Sequence, residues 1–208
     1  MIELFAAATP NGIKISIMLE EIGYDFKITK IDLSKNEQFR LEFKKISPFN
    51  KIPVIVDHSN SNSIFESGAI LMYLAEKSNK FYDHKDRNIV NQWLMGQMGY
   101  VGPMLGQHHQ FHHYNPGKSK FGEERYFKIA KKIYEELDER LSKSKYLANE
   151  SYTIADIATW PWIARHKWHD IGLKKYKNLT RWYLDISNRE AVVKGYDIFK
   201  DGSKIPIP

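Results

Sequence analysis

The distribution of apolar residues changes character near residue 80, and that change limits what this 208-residue chain can fold into. Before it, strand-like and helix-like segments alternate. Ile2-Glu3-Leu4-Phe5 is short and β-compatible. From Asn11 to Glu21 the residues Ile13, Ile15, Ile17, Met18 and Leu19 mostly recur at helical spacing, and Gly23 supplies a stop. Phe26 to Ile31 alternates apolar and polar residues as a second strand, and Asn36 to Ile46 sets Phe39, Phe43 and Ile46 on one helical face. Pro53 to Asp57 reads as a third strand, Ser63 to Phe65 as a fourth, and Glu66 to Lys77 as a helix carrying Ile70, Leu71, Tyr73 and Leu74. The predicted order is β-α-β-α-β-β-α.

After the polar run Ser78 to Arg87 the strand pattern stops. Helical periodicity returns over Asn88–Leu105, Glu123–Leu141, Ile154–Trp168, Asn178–Ser187 and Ala191–Phe199. Alternating β and α followed by helices alone predicts two unlike domains, an α/β half and an all-α half. The first has the element order of a four-stranded mixed sheet of the thioredoxin-like class. The expected boundaries are 1–80 for the α/β domain, 81–87 for a linker, 88–199 for the helical domain and 200–208 for an extended tail.

Cysteine is absent, which excludes disulfides, a cysteine nucleophile and thiolate metal sites. Any thiol chemistry must use a thiol that the protein binds. No apolar run reaches the roughly 18 residues that span a bilayer, and Met1-Ile2-Glu3-Leu4-Phe5 has no basic leader, so a cytoplasmic protein is expected. The formal charge is +6, but the lysines are scattered with only doublets such as Lys44-Lys45 and Lys131-Lys132. A phosphate-tracking surface needs clustered charge, so no nucleic-acid partner is expected.

Three segments carry potential chemistry. Thr9-Pro10-Asn11-Gly12 lies between the first strand and the first helix. Unpaired N–H groups and the helix dipole make such a point favourable for an anion, and Thr9 and Asn11 add side-chain donors. A free thiol has a pKa of about 8.5, and lowering it by about two units requires roughly 2.7 kcal/mol of preferential anion stabilisation. Two hydrogen bonds and a dipole can supply that. The alternative is that Thr9 or Asn11 only caps the helix. In Lys51-Ile52-Pro53-Val54 a proline opens a strand; a cis Ile52–Pro53 bond would turn the Ile52 backbone toward an extended ligand, whereas a trans bond is an ordinary strand start. In Phe65-Glu66-Ser67-Gly68, Ser67 suits a carboxylate at a helix N-terminus and Glu66 an ammonium, against the alternative of a simple capping serine.

These segments, at this spacing and before a helical half, resemble the glutathione transferase superfamily over nearly the whole chain. Thr9-Pro-Asn-Gly-Ile-Lys, Ile46-Ser-Pro-Phe-Asn-Lys-Ile-Pro-Val-Ile-Val-Asp and Phe65-Glu-Ser-Gly-Ala-Ile-Leu-Met-Tyr-Leu-Ala are similar to the nu class, as are Gly102-Pro-Met-Leu-Gly-Gln and Tyr152-Thr-Ile-Ala-Asp-Ile-Ala-Thr-Trp-Pro-Trp. The resemblance implies a glutathione transferase C-terminal helical bundle, reduced glutathione or glutathione disulfide as the bound cofactor, and a homodimer. It implies that Pro53 is a cis-proline, that Ile52 bonds the cysteinyl backbone, and that Glu66 and Ser67 hold the γ-glutamyl end. Gln38 would fix the glutathione backbone, and Arg125 would reach one of its carboxylates. Thr9 and Asn11 would stand where other classes place a catalytic tyrosine, serine or cysteine. The implied activity is glutathione-dependent disulfide reduction with a small-molecule disulfide or hydroperoxide as second substrate. Conjugation to an electrophile, or a non-catalytic binding or regulatory role on the same fold, are the rivals.

Two further features have local readings. Thr153-Ile154-Ala155-Asp156 fits a capping box and belongs to folding. His108, His109, His112 and His113 form two i,i+4 pairs on one helical face. No carboxylate or cysteine nearby completes a metal site, and partial protonation near neutral pH would let the group attract glutathione's carboxylates.

Overall fold

A computed structural model describes residues 1–208. The chain forms two compact units, one of Met1–Tyr82 with Arg189–Lys204 and one of Asp83–Asn188 with Ile205–Pro208.

The first unit is built on a sheet of order β2-β1-β3-β4, with β1 at Ile2–Ala6, β2 at Phe26–Lys30, β3 at Val54–Asp57 and β4 at Asn62–Phe65. β1 runs parallel to β2 and antiparallel to β3, and β3 pairs antiparallel with β4. Period-two alternation sends Ile2, Leu4 and Ala6 to one face of β1, where they are buried. Phe5 faces the other way and joins Ile31, Phe43 and Val54 in a smaller cluster.

Helix α1 spans Pro10–Ile22 and is buried nearly all round, Gly12 through Leu19 being covered without a break. Gly23 ends it in the left-handed region at φ 73°, its N–H bonding the carbonyls of Glu20 and Leu19. Helix α2 is shorter than periodicity predicts. Two 3₁₀ turns at Leu33–Lys35 and Glu37–Phe39 come first, and the α-helix covers only Leu41–Ile46. Asn36, the expected helix start, takes φ 57°, so the chain cannot continue a right-handed helix through it. Helix α3 spans Ser67–Ser78.

The second unit contains α4 (Arg87–Gly96), α5 (Gly102–His109), α6 (Lys120–Ser142), α7 (Ile154–Ile163) and α8 (Lys177–Ser187). α4 and α5 form one helical run in which Gln97–Val101 widens to π geometry. Pro103 has no N–H to return to the Gly99 carbonyl, which accounts for the opened turn before it. The expected capping box is present at α7, where Thr153 accepts from the Ala155 N–H and the Asp156 carboxylate accepts from the Thr153 N–H at 3.0 Å. Asp156 does more than cap. Fully buried, it also accepts from the Leu147 N–H at 2.9 Å and the Trp182 Nε1–H at 2.8 Å, tying the preceding loop and α8 to α7. Burial pushes its pKa up, and these hydrogen bonds oppose the shift. α7 stops five residues short of the expected Trp168, giving way to successive turns. The final helix, α9 (Glu190–Tyr196), packs in the first unit against α1. A Cβ on Gly195 would lie 2.6 Å from the Ile17 backbone, and Arg189 makes a two-pronged ion pair with Glu21 at 2.6 and 2.8 Å. At the chain end, the Tyr183 hydroxyl donates to the Pro206 carbonyl at 2.7 Å.

The four histidines sit in the second unit with His169. His108 stacks on His112 with centroids 4.8 Å apart, and His109 stacks on His169 at 4.7 Å. The rings lie face to face rather than aiming nitrogens at a shared point, and no three His, Asp or Glu side chains are grouped to hold a metal ion. His108 and His109 are buried, and desolvation with the neighbouring imidazoles pushes their pKa values down to about 4 and about 3. These two are therefore neutral at physiological pH, contrary to the expectation that they attract carboxylates. His112 instead pairs with Asp170 at 2.7 Å, and His113 bonds the Trp168 carbonyl.

Two outcomes follow for stability. Asp156→Ala strands several buried donors and should cost on the order of 3 kcal/mol in denaturant unfolding, with Asp156→Asn costing less. Because His108 and His109 titrate below the roughly 6.5 of an unfolded histidine, the unfolded chain takes up protons first. Thermal stability should fall as pH drops from 6.5 toward about 4. A His108→Leu/His109→Leu variant should show a shallower decline over that window by calorimetry.

Candidate functional site

The site begins at the β1–α1 junction. Thr9 adopts extended geometry (φ −102°, ψ 161°) and its Oγ1 accepts from the Gly12 N–H at 3.3 Å, so Thr9 is the N-cap. Pro10, in the first turn, has no N–H to leave unpaired. Gly12 is required by space, because a Cβ there would overlap the Ala7 carbonyl. The helix therefore starts hard against the end of β1, and Asn11 is carried to the mouth of the first turn.

Opposite this turn the chain enters β3 through a cis Ile52–Pro53 peptide bond. Its approach is closed by Ser47, whose hydroxyl donates to the Lys51 carbonyl at 2.7 Å and accepts from the Lys51 N–H at 2.9 Å. The third wall is the β4–α3 junction. Glu66 is held at φ 68°, ψ 117°, outside the regions open to an ordinary side chain. The strained turn sends Ser67 inward, where it is buried, and leaves Glu66 exposed beside it. The three walls enclose a cavity of about 160 Å³ lined by Asn11, Ile52, Pro53, Glu66 and Ser67, with Ser47, Phe49, Lys51 and Phe65 completing it. Phe49 meets Phe65 edge-on at 6.1 Å, giving the cavity an aromatic side.

Five of the eight residues singled out by sequence thus line one cavity. Thr9 is not among its lining residues. Its cap bond uses an oxygen lone pair, so the hydroxyl proton remains to be donated elsewhere. Gln38 lies in the 3₁₀ turn Glu37–Phe39 of the same unit, its Oε1 buried without a hydrogen-bond partner, and it does not line the cavity. Arg125 belongs to the second unit, on the exposed face of α6 over the Tyr126 ring.

The sequence reading missed Ser47, Phe49 and Phe65 as lining residues. The signal for Ser47 and Phe49 was the run Ser47-Pro-Phe-Asn-Lys, where a hydroxyl four residues before Lys51 can close a tight loop, but it discloses nothing about a cavity. It also missed Lys14. On the buried helix α1 this lysine is 1% exposed, and its Nζ donates to the Ser67 Oγ at 3.2 Å. Desolvation holds its pKa well below the usual lysine range, with the Glu66 carboxylate opposing.

Chemically, the cavity offers backbone and side-chain donors at the first turns of two helices, α1 and α3, a carboxylate at Glu66, and the Lys51 ammonium. It suits a small zwitterion with an additional anionic group. None of its side chains is itself a strong nucleophile.

Comparison with known proteins agrees with this architecture. Residues 2–76 match the family described as glutathione S-transferase, N-terminal domain, and residues 106–190 match glutathione S-transferase, C-terminal domain. The chain is 46% identical over 198 residues to the Escherichia coli protein named disulfide-bond oxidoreductase YfcG, covering 92% of each. Among solved structures, a glutathione transferase from Burkholderia graminis with two glutathione molecules bound per subunit superposes with a TM-score of 0.90 at 36% identity, covering 97% of this chain and 89% of that one. A glutathione transferase from Pseudomonas putida with one glutathione disulfide bound per subunit gives 0.87 at 37%, covering 95% and 91%. The thioredoxin-like sheet, the helical second half and these matches agree: the chain belongs to the glutathione S-transferase family.

Proposed function

We propose that this protein is a nu-class, glutathione-dependent disulfide-bond oxidoreductase whose reacting thiol is supplied by bound glutathione. The observation that carries the reading is a cavity with two helix N-terminal turns and Asn11 at its edge, in a chain that has no cysteine. Glutathione and its disulfide, bound in the Burkholderia and Pseudomonas structures, have the charge pattern the cavity suits.

In this reading Glu66 pairs with the γ-glutamyl ammonium and Ser67 donates to the γ-glutamyl carboxylate at the positive end of α3. The Ile52 backbone bonds the cysteinyl unit beside Pro53, which leaves the sulfur near the first turn of α1. Gln38, in the same unit, serves the remaining polar groups of the glutathione backbone. Asn11 donates its amide N–H to the sulfur and Thr9 its hydroxyl, while the α1 dipole favours negative charge there. A thiolate so held attacks one sulfur of a substrate disulfide. The S–S bond breaks, a mixed disulfide with glutathione forms, and the leaving thiolate takes a proton from water. A second glutathione thiolate attacks the glutathione sulfur of that mixed disulfide, releasing glutathione disulfide and the other substrate thiol. With an organic hydroperoxide the same thiolate cleaves the O–O bond to give a glutathione sulfenic acid and an alcohol. The second glutathione then condenses with the sulfenic acid, forming glutathione disulfide and water.

No helix of the protein is long and apolar enough to cross a membrane, in keeping with a cytoplasmic enzyme, and the family relationship favours a homodimer. Sedimentation should therefore give twice the 24.4 kDa chain mass, and a monomer would contradict this part of the reading.

The activity is tested by glutathione-dependent turnover of hydroxyethyl disulfide. The wild type should turn over, and Thr9→Ala/Asn11→Ala should lose on the order of 10²-fold in kcat with folding preserved, the usual scale for removing donors to a developing anion. Unchanged turnover in the double variant would exclude those two side chains from the mechanism. Absence of turnover in the wild type, despite binding, would favour a regulatory role on the same fold.

A further inference from the structure

Backbone that holds an extended peptide needs an N–H and a C=O of one residue, both free and on the same side. Between Lys51 and Pro53 the chain provides this at one residue only. Pro53 has no N–H. Lys51 has both groups taken by a single side chain, because the Ser47 hydroxyl donates to its carbonyl at 2.7 Å and accepts from its N–H at 2.9 Å. The Ile52 N–H and C=O enter no hydrogen bond within the chain. As the residue before a proline, Ile52 favours extended backbone, in which the two groups point the same way. Its side chain packs against the cluster of Ile31, Phe43 and Val54, and the residue also lines the cavity. Ile52 is thus anchored through its apolar side chain while its polar backbone stays available.

We propose that Ser47 is a positioning residue of the glutathione site, fixing Lys51 so that Ile52 alone offers a paired donor and acceptor to the cysteinyl backbone. The inference rests on the reading that glutathione occupies this cavity. Ser47 is buried at the C-terminal end of α2, and its own backbone is tied on both sides. Its N–H donates to the Phe43 carbonyl at 2.9 Å, and its carbonyl accepts from the Asn50 N–H at 2.9 Å. The hydroxyl therefore projects from a fixed point. A hydroxyl has one proton, and here that proton is committed to the Lys51 carbonyl, so Ser47 acts on the ligand through Ile52. Without the hydroxyl, the Lys51 N–H and C=O would compete with those of Ile52 for the same ligand. The ligand would meet two registers instead of one, and binding would also have to order the loop.

Amide hydrogen exchange followed by NMR tests this on the wild-type protein. In the free protein the Lys51 amide should exchange about 10-fold or more slowly than that of Ile52. Saturating glutathione should then slow the Ile52 amide by about 10-fold or more. A Lys51 amide that exchanges freely, or an Ile52 amide left unprotected by bound glutathione, would overturn the role of Ser47. A cycle between protein and ligand separates positioning from general stability. Glutathione and an analogue with an ester oxygen in place of the cysteinyl N–H, which cannot donate to the Ile52 carbonyl, are titrated calorimetrically into wild type and Ser47→Ala. The variant should weaken glutathione by about 10-fold, the scale of one hydrogen bond, and the analogue by less than about 3-fold. Equal weakening of both ligands, or none of glutathione, would reduce Ser47 to a structural residue. Should Ser47→Ala not fold, the exchange measurements on the wild type decide alone. A wild type that gives no heat with glutathione would instead remove the occupancy reading itself, and the role of Ser47 with it.

Discussion

The site depends on how closely α1 follows β1. At Gly12 the helix backbone lies against the Ala7 carbonyl with no room for a side chain, and Thr9 secures the junction by accepting the Gly12 N–H. This close start carries Asn11 to the cavity opposite Pro53 and Ser67. It holds only because the rest of α1 is covered. α3 packs along it, and so does α9, which joins the first unit from far along the chain. The Gly195 approach to Ile17 and the Arg189–Glu21 ion pair fasten that distant helix in place. A cavity made by residues 11 to 67 is thus buttressed by residues 189 to 196.

The same buried helix accounts for the chemistry assigned to it. A helix N-terminus stabilises an anion best where water is thin and the dipole is poorly screened. In the proposed reading the second helix end, at Ser67, serves a carboxylate in the same way, and the strained Glu66 turn sets a carboxylate beside it. Lys14 joins the two, being carried by α1 and bonded to the first residue of α3. A chain without cysteine can in this way perform thiol chemistry by ordering donors around a thiol it borrows.

Much of this was legible in the sequence because it is local. The four strands, α1 and α3 follow from apolar periodicity and turn residues, and the capping box at Thr153 and Asp156 follows from spacing alone. What was not legible depends on contacts between distant residues. Helical periodicity cannot say that α9 packs on α1, and it did not register that Asn36 takes a left-handed conformation that shortens α2. The i,i+4 spacing placed the histidines together, but the stacking of His109 on His169 and the burial of His108 and His109 depend on residues far along the chain, so the loss of charge at those two was invisible. Lys14 reads as an ordinary exposed lysine at the edge of an apolar stripe. Only the near-complete coverage of α1 converts it into a buried amine.

The central physical claim is that the first turn of α1 keeps a bound sulfur ionised. Ultraviolet difference absorbance of the glutathione complex, titrated across pH, measures this directly. The account predicts a thiolate band that disappears only near pH 6.5, about two units below a free thiol. A bound thiol that titrates near its free value of about 8.5 would contradict it.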